Sequence, residues 1–209
     1  ARFPGHAILS EERQKIYNGE EWAWIIDPID GTTNFAWGFP CWGVLIALLH
    51  FGQPVLGVSD FPMLGEHYHA IRGGGAFLND RPVHAIEVPA GADGRPGVLP
   101  TQIFVLCSRA VERGAIKVPT KLRISGSCGY DMALLASGSV VGTFQQLAYP
   151  WDLAAGWILA DEAQSVISEL SQNIVFPLTP GLDCGSARCS ILGAASAQLM
   201  TVFQSGLLG

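Results

Sequence analysis

Trp24-Ile25-Ile26-Asp27-Pro28-Ile29-Asp30-Gly31-Thr32-Thr33-Asn34-Phe35 is the stretch on which the reading of this chain turns. An apolar run of strand length ends in an acid, a proline and a second acid, which predicts a strand that carries both carboxylates to where it leaves the core. Carboxylate, carbonyl and water oxygens suit a hard divalent cation, and two acids this close can share or flank a pair of such ions. Gly31 lets the backbone approach a ligand. Thr32 and Thr33 offer hydroxyls and free N–H groups if a helical turn begins here, and a phosphate fits such a turn. Asp-Pro and Asp-Gly taken alone read as an ordinary tight turn after a buried strand.

Two further acidic elements flank this string. Upstream, Ile8-Leu9-Ser10-Glu11-Glu12 is an apolar run ending in paired acids, and the polar segment up to Asn18-Gly19 reads as a loop. Downstream, Tyr149-Pro150-Trp151-Asp152-Leu153-Ala154-Ala155-Gly156-Trp157 opens a helix expected to run to about Ala163. Asp152 falls in its first turn, where a carboxylate taken alone is a cap favoured by the helix dipole.

Read together, the central string resembles the first signature of the inositol monophosphatase family, the Mg²⁺-dependent, lithium-sensitive phosphatases related to fructose-1,6-bisphosphatase. Trp-Asp-x-Ala-Ala resembles the second signature of that family, and the two occur in the right order. The family also has a Gly-Glu-Glu element before the first signature. Glu11 matches its first glutamate, with Ser10 in place of the usual glycine. Gly19-Glu20-Glu21 spells the motif more literally but lies too near Asp27, because residues 21–26 are needed for the strand.

The resemblance implies a phosphoric monoester hydrolase acting on a small sugar, inositol or related phosphate, with two or three Mg²⁺ ions per site. It implies Glu11, Asp27, the Ile29 carbonyl, Asp30 and Asp152 as metal ligands, and Glu11, Thr32 and Asp30 as catalytic groups. Gly31, Thr32 and Thr33 are then phosphate-binding. The small-residue loop Ser125-Gly126-Ser127-Cys128-Gly129 stands where the family carries Gly-Ser/Thr-Ala-Ala, so Gly126, Ser127 and Cys128 are expected to line the pocket. Close helix packing is the alternative for that loop. Gln145 stands where animal members carry a glutamate that contacts an inositol hydroxyl; it keeps hydrogen-bonding capacity but brings no charge. Inositol phosphate is thereby less favoured. Histidinol phosphate is a second candidate substrate, fructose 1,6-bisphosphate and a nucleotide 3′-phosphate are further ones that no sequence feature separates, and a non-catalytic regulatory member of the family is the alternative from another class.

Composition bounds the rest. Among 209 residues, 49% are apolar and 14% charged, which excludes a disordered chain. A net charge of −6 without a dense Lys/Arg cluster argues against direct nucleic-acid binding. Cys41, Cys107, Cys128, Cys184 and Cys189 have no CxxC spacing, so neither a disulfide framework nor a zinc site is expected, and a cytoplasmic setting is the default. No apolar run has the length of a membrane span, and the first residues do not read as a signal peptide.

The expected fold is α/β, an α+β layered sandwich (αβαβα) of the inositol monophosphatase/fructose-1,6-bisphosphatase type, with a largely antiparallel first sheet, a mixed second one, and homodimeric assembly as the family habit. Residues 1–97 form the half with the first signature and 98–209 the half with the second, divided at the Gly/Ala/Pro-rich residues 90–97. Residues 40–50 and 55–58 read as one hairpin, buried on both faces, and 66–72 and 76–79 as a second, with Asp80-Arg81-Pro82 as a turn. His67 and His69 share a strand face, where a structural role outweighs metal binding. The family usually carries a long helical segment before Gly-Glu-Glu, so its N-terminal helices are expected to be absent here. The short connection 108–121 and the lack of Gly-Gly after Glu162-Ala163 suggest segments missing from the numbering.

Overall fold

The computed structural model describes residues 3–89, 97–114, 116–170 and 176–207. The expected boundary at residues 90–97 lies outside these, Gly97 excepted. In chain order the first half forms β1 (Ala7–Ser10), β2 (Ile16–Tyr17), β3 (Trp22–Asp30), α1 (Thr32–Ala36), β4 (Gly43–His50), β5 (Gln53–Phe61), β6 (Glu66–Ile71), β7 (Gly75–Leu78) and β8 (Arg81–Val83). The second half forms β9 (Ile103–Leu106), α2 (Ser108–Glu112), β10 (Lys121–Arg123), α3 (Cys128–Ala136), β11 (Gly142–Ala148), α4 (Pro150–Glu162), β12 (Val166–Glu169), β13 (Leu182–Asp183), β14 (Cys189–Ala194) and α5 (Ala197–Ser205).

Seven strands of the first half join in the order β1-β3-β4-β5-β6-β7-β8, and five of the second in the order β10-β9-β11-β14-β12. The first sheet is antiparallel except at its edge, where β1 runs parallel to β3. The second is mixed: β10, β9 and β11 are parallel, and β14 is antiparallel to both β11 and β12. A two-stranded ribbon of β2 and β13 ties the halves together. Between the sheets lie α3 and α4. Met132, Ala133 and Ala136 of α3 join α4 and the first sheet in one core, while Leu135 joins the second sheet's core. Farther out, α5 covers the second sheet, its Phe203 ring edge-on to Phe104 at 4.9 Å. The result is an α/β layered sandwich.

Several elements differ from the sequence reading for identifiable reasons. β3 continues through Asp30 rather than ending at Ile26, with a register shift against β4 between Asp27 and Asp30. Pro28 has no N–H to give to the ladder, so the strand bulges there and re-aims both acids. β4 is not buried on both faces: burial alternates along it, with Leu45, Ala47 and Leu49 on the helix layer and Val44, Ile46 and Leu48 half-exposed. Its near-continuous apolarity therefore does not mark burial on both faces. Asp80-Arg81-Pro82 is partly strand, as β8, and β2 lies in the segment read as loop. α3 begins at Cys128, two residues before the expected Tyr130, because Ser127 caps it. At 162–165 the turn closes through Gln164 N to Asp161 O (3.0 Å) and Ser165 N to Ala160 O (2.8 Å), with Gln164 itself at φ 65° in the left-handed region. A side chain there stands where the family carries glycine.

Candidate active site

The register Ser10↔Ile26 between β1 and β3 sets Glu11 beside Asp27 at one end of the first sheet. The β3 bulge carries Ile29 and Asp30 to the same end. Gly31 then turns the chain into α1 at φ 80°, and a Cβ at that position would lie 2.9 Å from the Cys41 carbonyl, so only glycine fits. Asp152 arrives from the other side as the third residue of α4, where its Oδ2 accepts from Tyr149 N at 2.9 Å. The cap reading of Asp152 is thus correct locally and incomplete, because the capped end faces the cavity.

That cavity, of about 440 Å³, is lined by Glu11, Asp27, Ile29, Asp30, Gly31, Thr32, Thr33, Gly126, Ser127, Cys128, Gln145 and Asp152. The fold therefore brings every site residue expected from the sequence to a single depression. The more literal Gly-Glu-Glu is elsewhere: Glu20 accepts from Asn18 N at 3.0 Å and Glu21 pairs with His50 at 3.6 Å. His67 pairs with Asp60 at 3.1 Å and His69 stacks on Phe77, both away from the cavity.

Like charges crowd this end of the molecule. Burial, followed by the charges of Asp30 and Glu11, pushes the Asp27 carboxyl up to about 7 despite the Ile29 amide it accepts from at 3.1 Å. Asp152 is raised well above the carboxylate range by burial and by Asp30, Asp27 and Glu11, and it lies within hydrogen-bonding reach of Asp27. Asp30 is raised to about 6 by burial, offset by its donors: the Ser127 hydroxyl, Gly129 N at 2.9 Å and Cys128 N at 3.2 Å. These contacts make Asp30 the anion at the amino end of α3.

Asp27, Asp30 and Asp152 each accept from a backbone amide. Among the described residues no three His, Cys, Asp or Glu side chains have the spacing of a metal site. The donor set itself fits a hard divalent cation: oxygen atoms only, negative charge in excess, and mutual repulsion that a cation would relieve. Asp30 would have to give up part of its helix-capping contact to take part.

Sequence reasoning missed several lining residues. Asp131 is 1% exposed, raised to about 7 by burial, and accepts from Gln145 Nε2 at 2.7 Å. Its only sequence signal is an acid on the buried side of α3. Arg109, Gln146 and Tyr149 also line the cavity, the last two exposed to it by the bulge at Leu147, φ 55°.

Ser127 links these parts, since its hydroxyl donates to Asp30 and accepts from Tyr130 N at 3.1 Å. Ser127→Ala is expected to cost about 1–2 kcal/mol of stability by removing the α3 cap and one Asp30 donor. Urea denaturation would read this as a lower midpoint at unchanged slope; an unchanged midpoint would contradict the cap.

The model of the inositol monophosphatase family matches residues 1–204. A histidinol-phosphatase of Chlorobaculum parvum is 38% identical over 170 residues, covering 78% of this chain and 63% of that protein. An inositol-1-monophosphatase of Mesorhizobium japonicum is 35% identical over 181 residues, covering 80% and 64%. The chain thus spans a little under two thirds of the length of these relatives. Among solved structures, the Thermotoga maritima IMPase superposes with a TM-score of 0.77 at 27% identity, over 96% of this chain and 74% of that one. The inositol monophosphatase from Anabaena gives 0.73 at 30%, over 96% and 81%. With both signatures meeting at one cavity and the match extending along nearly the whole sequence, the chain belongs to the inositol monophosphatase family.

Proposed function

We propose that this site hydrolyses a small phosphate monoester, of a sugar, inositol or related alcohol, with Mg²⁺ as cofactor. The observation that carries the reading is the convergence of Glu11, Asp27, Asp30 and Asp152, drawn from three separate segments, on one cavity beside the turn at residues 31–33. Two divalent cations held by these acids and the Ile29 carbonyl would supply the Lewis-acid charge that activates water and stabilises the leaving oxygen. Glu11 and Thr32 orient that water and Glu11 accepts its proton. The N–H groups of Gly31 and Thr32 face the phosphoryl oxygens, where negative charge spreads in the transition state. Ser127 and the first amides of α3 hold Asp30 toward its ionised form. A homodimer, on family resemblance, and a cytoplasmic setting, on the cysteine spacing, belong to the same reading.

Histidinol phosphate is the second substrate reading. Gln145 commits both amide hydrogens, to Asp131 Oδ2 at 2.7 Å and Thr143 Oγ1 at 2.9 Å, leaving its carbonyl oxygen to accept from a substrate hydroxyl or ammonium. The similarity to a protein named histidinol-phosphatase supports the ammonium option. A purely regulatory role has less support, because such a descendant has no need of four converging acids.

The test is phosphate release from inositol 1-phosphate, histidinol phosphate and fructose 1,6-bisphosphate, each with Mg²⁺ and with EDTA. Release from at least one ester, abolished by EDTA and inhibited by Li⁺, is expected. No release from any ester in Mg²⁺, by folded protein, would sink the reading.

A further inference from the structure

Among the described residues, Asp131 keeps a carboxylate oxygen that no donor satisfies. The residue is buried on the side of α3 that meets β11, yet it forms part of the wall of the active-site cavity. Its Oδ2 accepts from Gln145 Nε2 at 2.7 Å, while its Oδ1 is enclosed without a hydrogen-bond partner. The Ser125 side chain is near enough to hold the Asp131 pKa down, but its hydroxyl donates to the Ser127 carbonyl at 3.0 Å. Among the described residues no cationic side chain is paired with Asp131.

A carboxylate oxygen enclosed in this way has lost its water without gaining a donor, which is unfavourable until a ligand brings one. The cost shows in the carboxyl itself, which burial pushes up to about 7. A neutral hydroxyl would supply a hydrogen bond alone, whereas an ammonium supplies the bond and the missing positive charge together. Gln145 faces the same ligand: its amide hydrogens go to Asp131 and to Thr143 Oγ1 at 2.9 Å, which leaves its carbonyl oxygen as a second acceptor. One carboxylate oxygen and one amide oxygen suit an ammonium better than a further divalent cation, which takes about six oxygen ligands.

We propose that Asp131 is a specificity-determining residue, whose unpartnered Oδ1, together with the Gln145 carbonyl oxygen, receives an ammonium group on the alcohol part of the substrate. The proposal rests on the hydrolysis reading above and narrows it from phosphates of polyols to phosphate esters of amino alcohols. A site built around such an acceptor discriminates against the analogue that lacks the donor, because the buried oxygen is then left unpaired.

The experiment compares 2-aminoethyl, 3-aminopropyl and 4-aminobutyl phosphate, each with the hydroxyl ester of the same length, in Mg²⁺ at pH 8, where Asp131 is ionised. The lengths place the ammonium at different distances from the phosphate. For at least one of them the wild-type kcat/KM is expected to favour the amino ester by about tenfold or more, and Asp131→Asn to lower that preference about tenfold. Asparagine keeps the shape of the side chain and an oxygen for Gln145, so the loss reads the charge rather than the packing behind it. Asp131→Ser, smaller and neutral, repeats the reading if asparagine disturbs the fold. Calorimetric titration of the same esters with Ca²⁺ in place of Mg²⁺ gives a readout independent of turnover, with the amino-over-hydroxyl affinity ratio expected to fall about tenfold in the variants. Amino and hydroxyl esters within about twofold of each other at every length in the wild type would overturn the proposal, as would a preference that both variants retain. Tighter binding of the amino esters that the variants lose, with no ester cleaved by the wild type, would leave the subsite standing and remove the hydrolysis reading instead.

Discussion

Asp27→Asn is expected to lower Mg²⁺-dependent phosphate release about a thousandfold while leaving the protein folded. Asp27 is 3% exposed, lies within reach of Asp152 and carries the charges of Asp30 and Glu11 against it. Asp152 shares the same acidic neighbours, so Asp27 is one of two acids at the centre of the group. Asparagine has the same shape but contributes no negative charge, so cation affinity and charge stabilisation are lost together. The same substitution removes one of several repelling groups, so the melting temperature in EDTA is expected to stay level or rise. Initial rates at saturating Mg²⁺, read beside thermal melts in EDTA, separate the two effects. Activity within a few-fold of wild type would mean that the convergence of acids is not the working site.

Without divalent cation, the protein is expected to be more stable near pH 5 than near pH 8, the opposite of what salt-bridged carboxylates produce. Asp27 and Asp131 are raised to about 7 and Asp30 to about 6, and Asp152 shifts the same way. Each therefore binds its proton more tightly in the folded than in the unfolded chain, where carboxylates titrate near 4. Between about pH 4 and 7 the native state holds more protons, so stability falls as pH rises through that window and the full penalty is present above it. Because the groups interact, they titrate as a set. A melting temperature lower by on the order of 10 °C or more at pH 8 than at pH 5 in EDTA follows from shifts of this size. Mg²⁺ should reverse the trend, raising the melting temperature more at pH 8, where the ligands are ionised, than at pH 5. A flat profile in EDTA together with no response to Mg²⁺ would mean that the acids are not electrostatically coupled as the geometry requires.

The element from Trp22 to Asp30 was legible in the sequence because an apolar run closed by Asp-Pro-Ile-Asp-Gly is local chemistry. The same holds for Tyr149 to Glu162, where Pro150 and Asp152 mark the helix start. β2, β8 and β13 were not legible. They are two or three residues long and exist because a partner strand is there to pair with them. The half-exposed outer face of β4 was misread for a related reason: an apolar side chain does not say whether anything covers it.

The sequence by itself determined the family and the chemical kind of every expected site residue, since two contiguous strings carry the acids, the glycine turn and the hydroxyls. The tertiary structure alone decided how those groups are held. Asp30 meets Ser127 across 97 positions of chain, and Asp131 is sealed against Gln145. Arg188 is laid on the ring of Tyr149. Each of these depends on sheets and helices packing first, because desolvation and the orientation of a donor toward an acceptor are properties of the enclosed space and leave no mark on neighbouring letters.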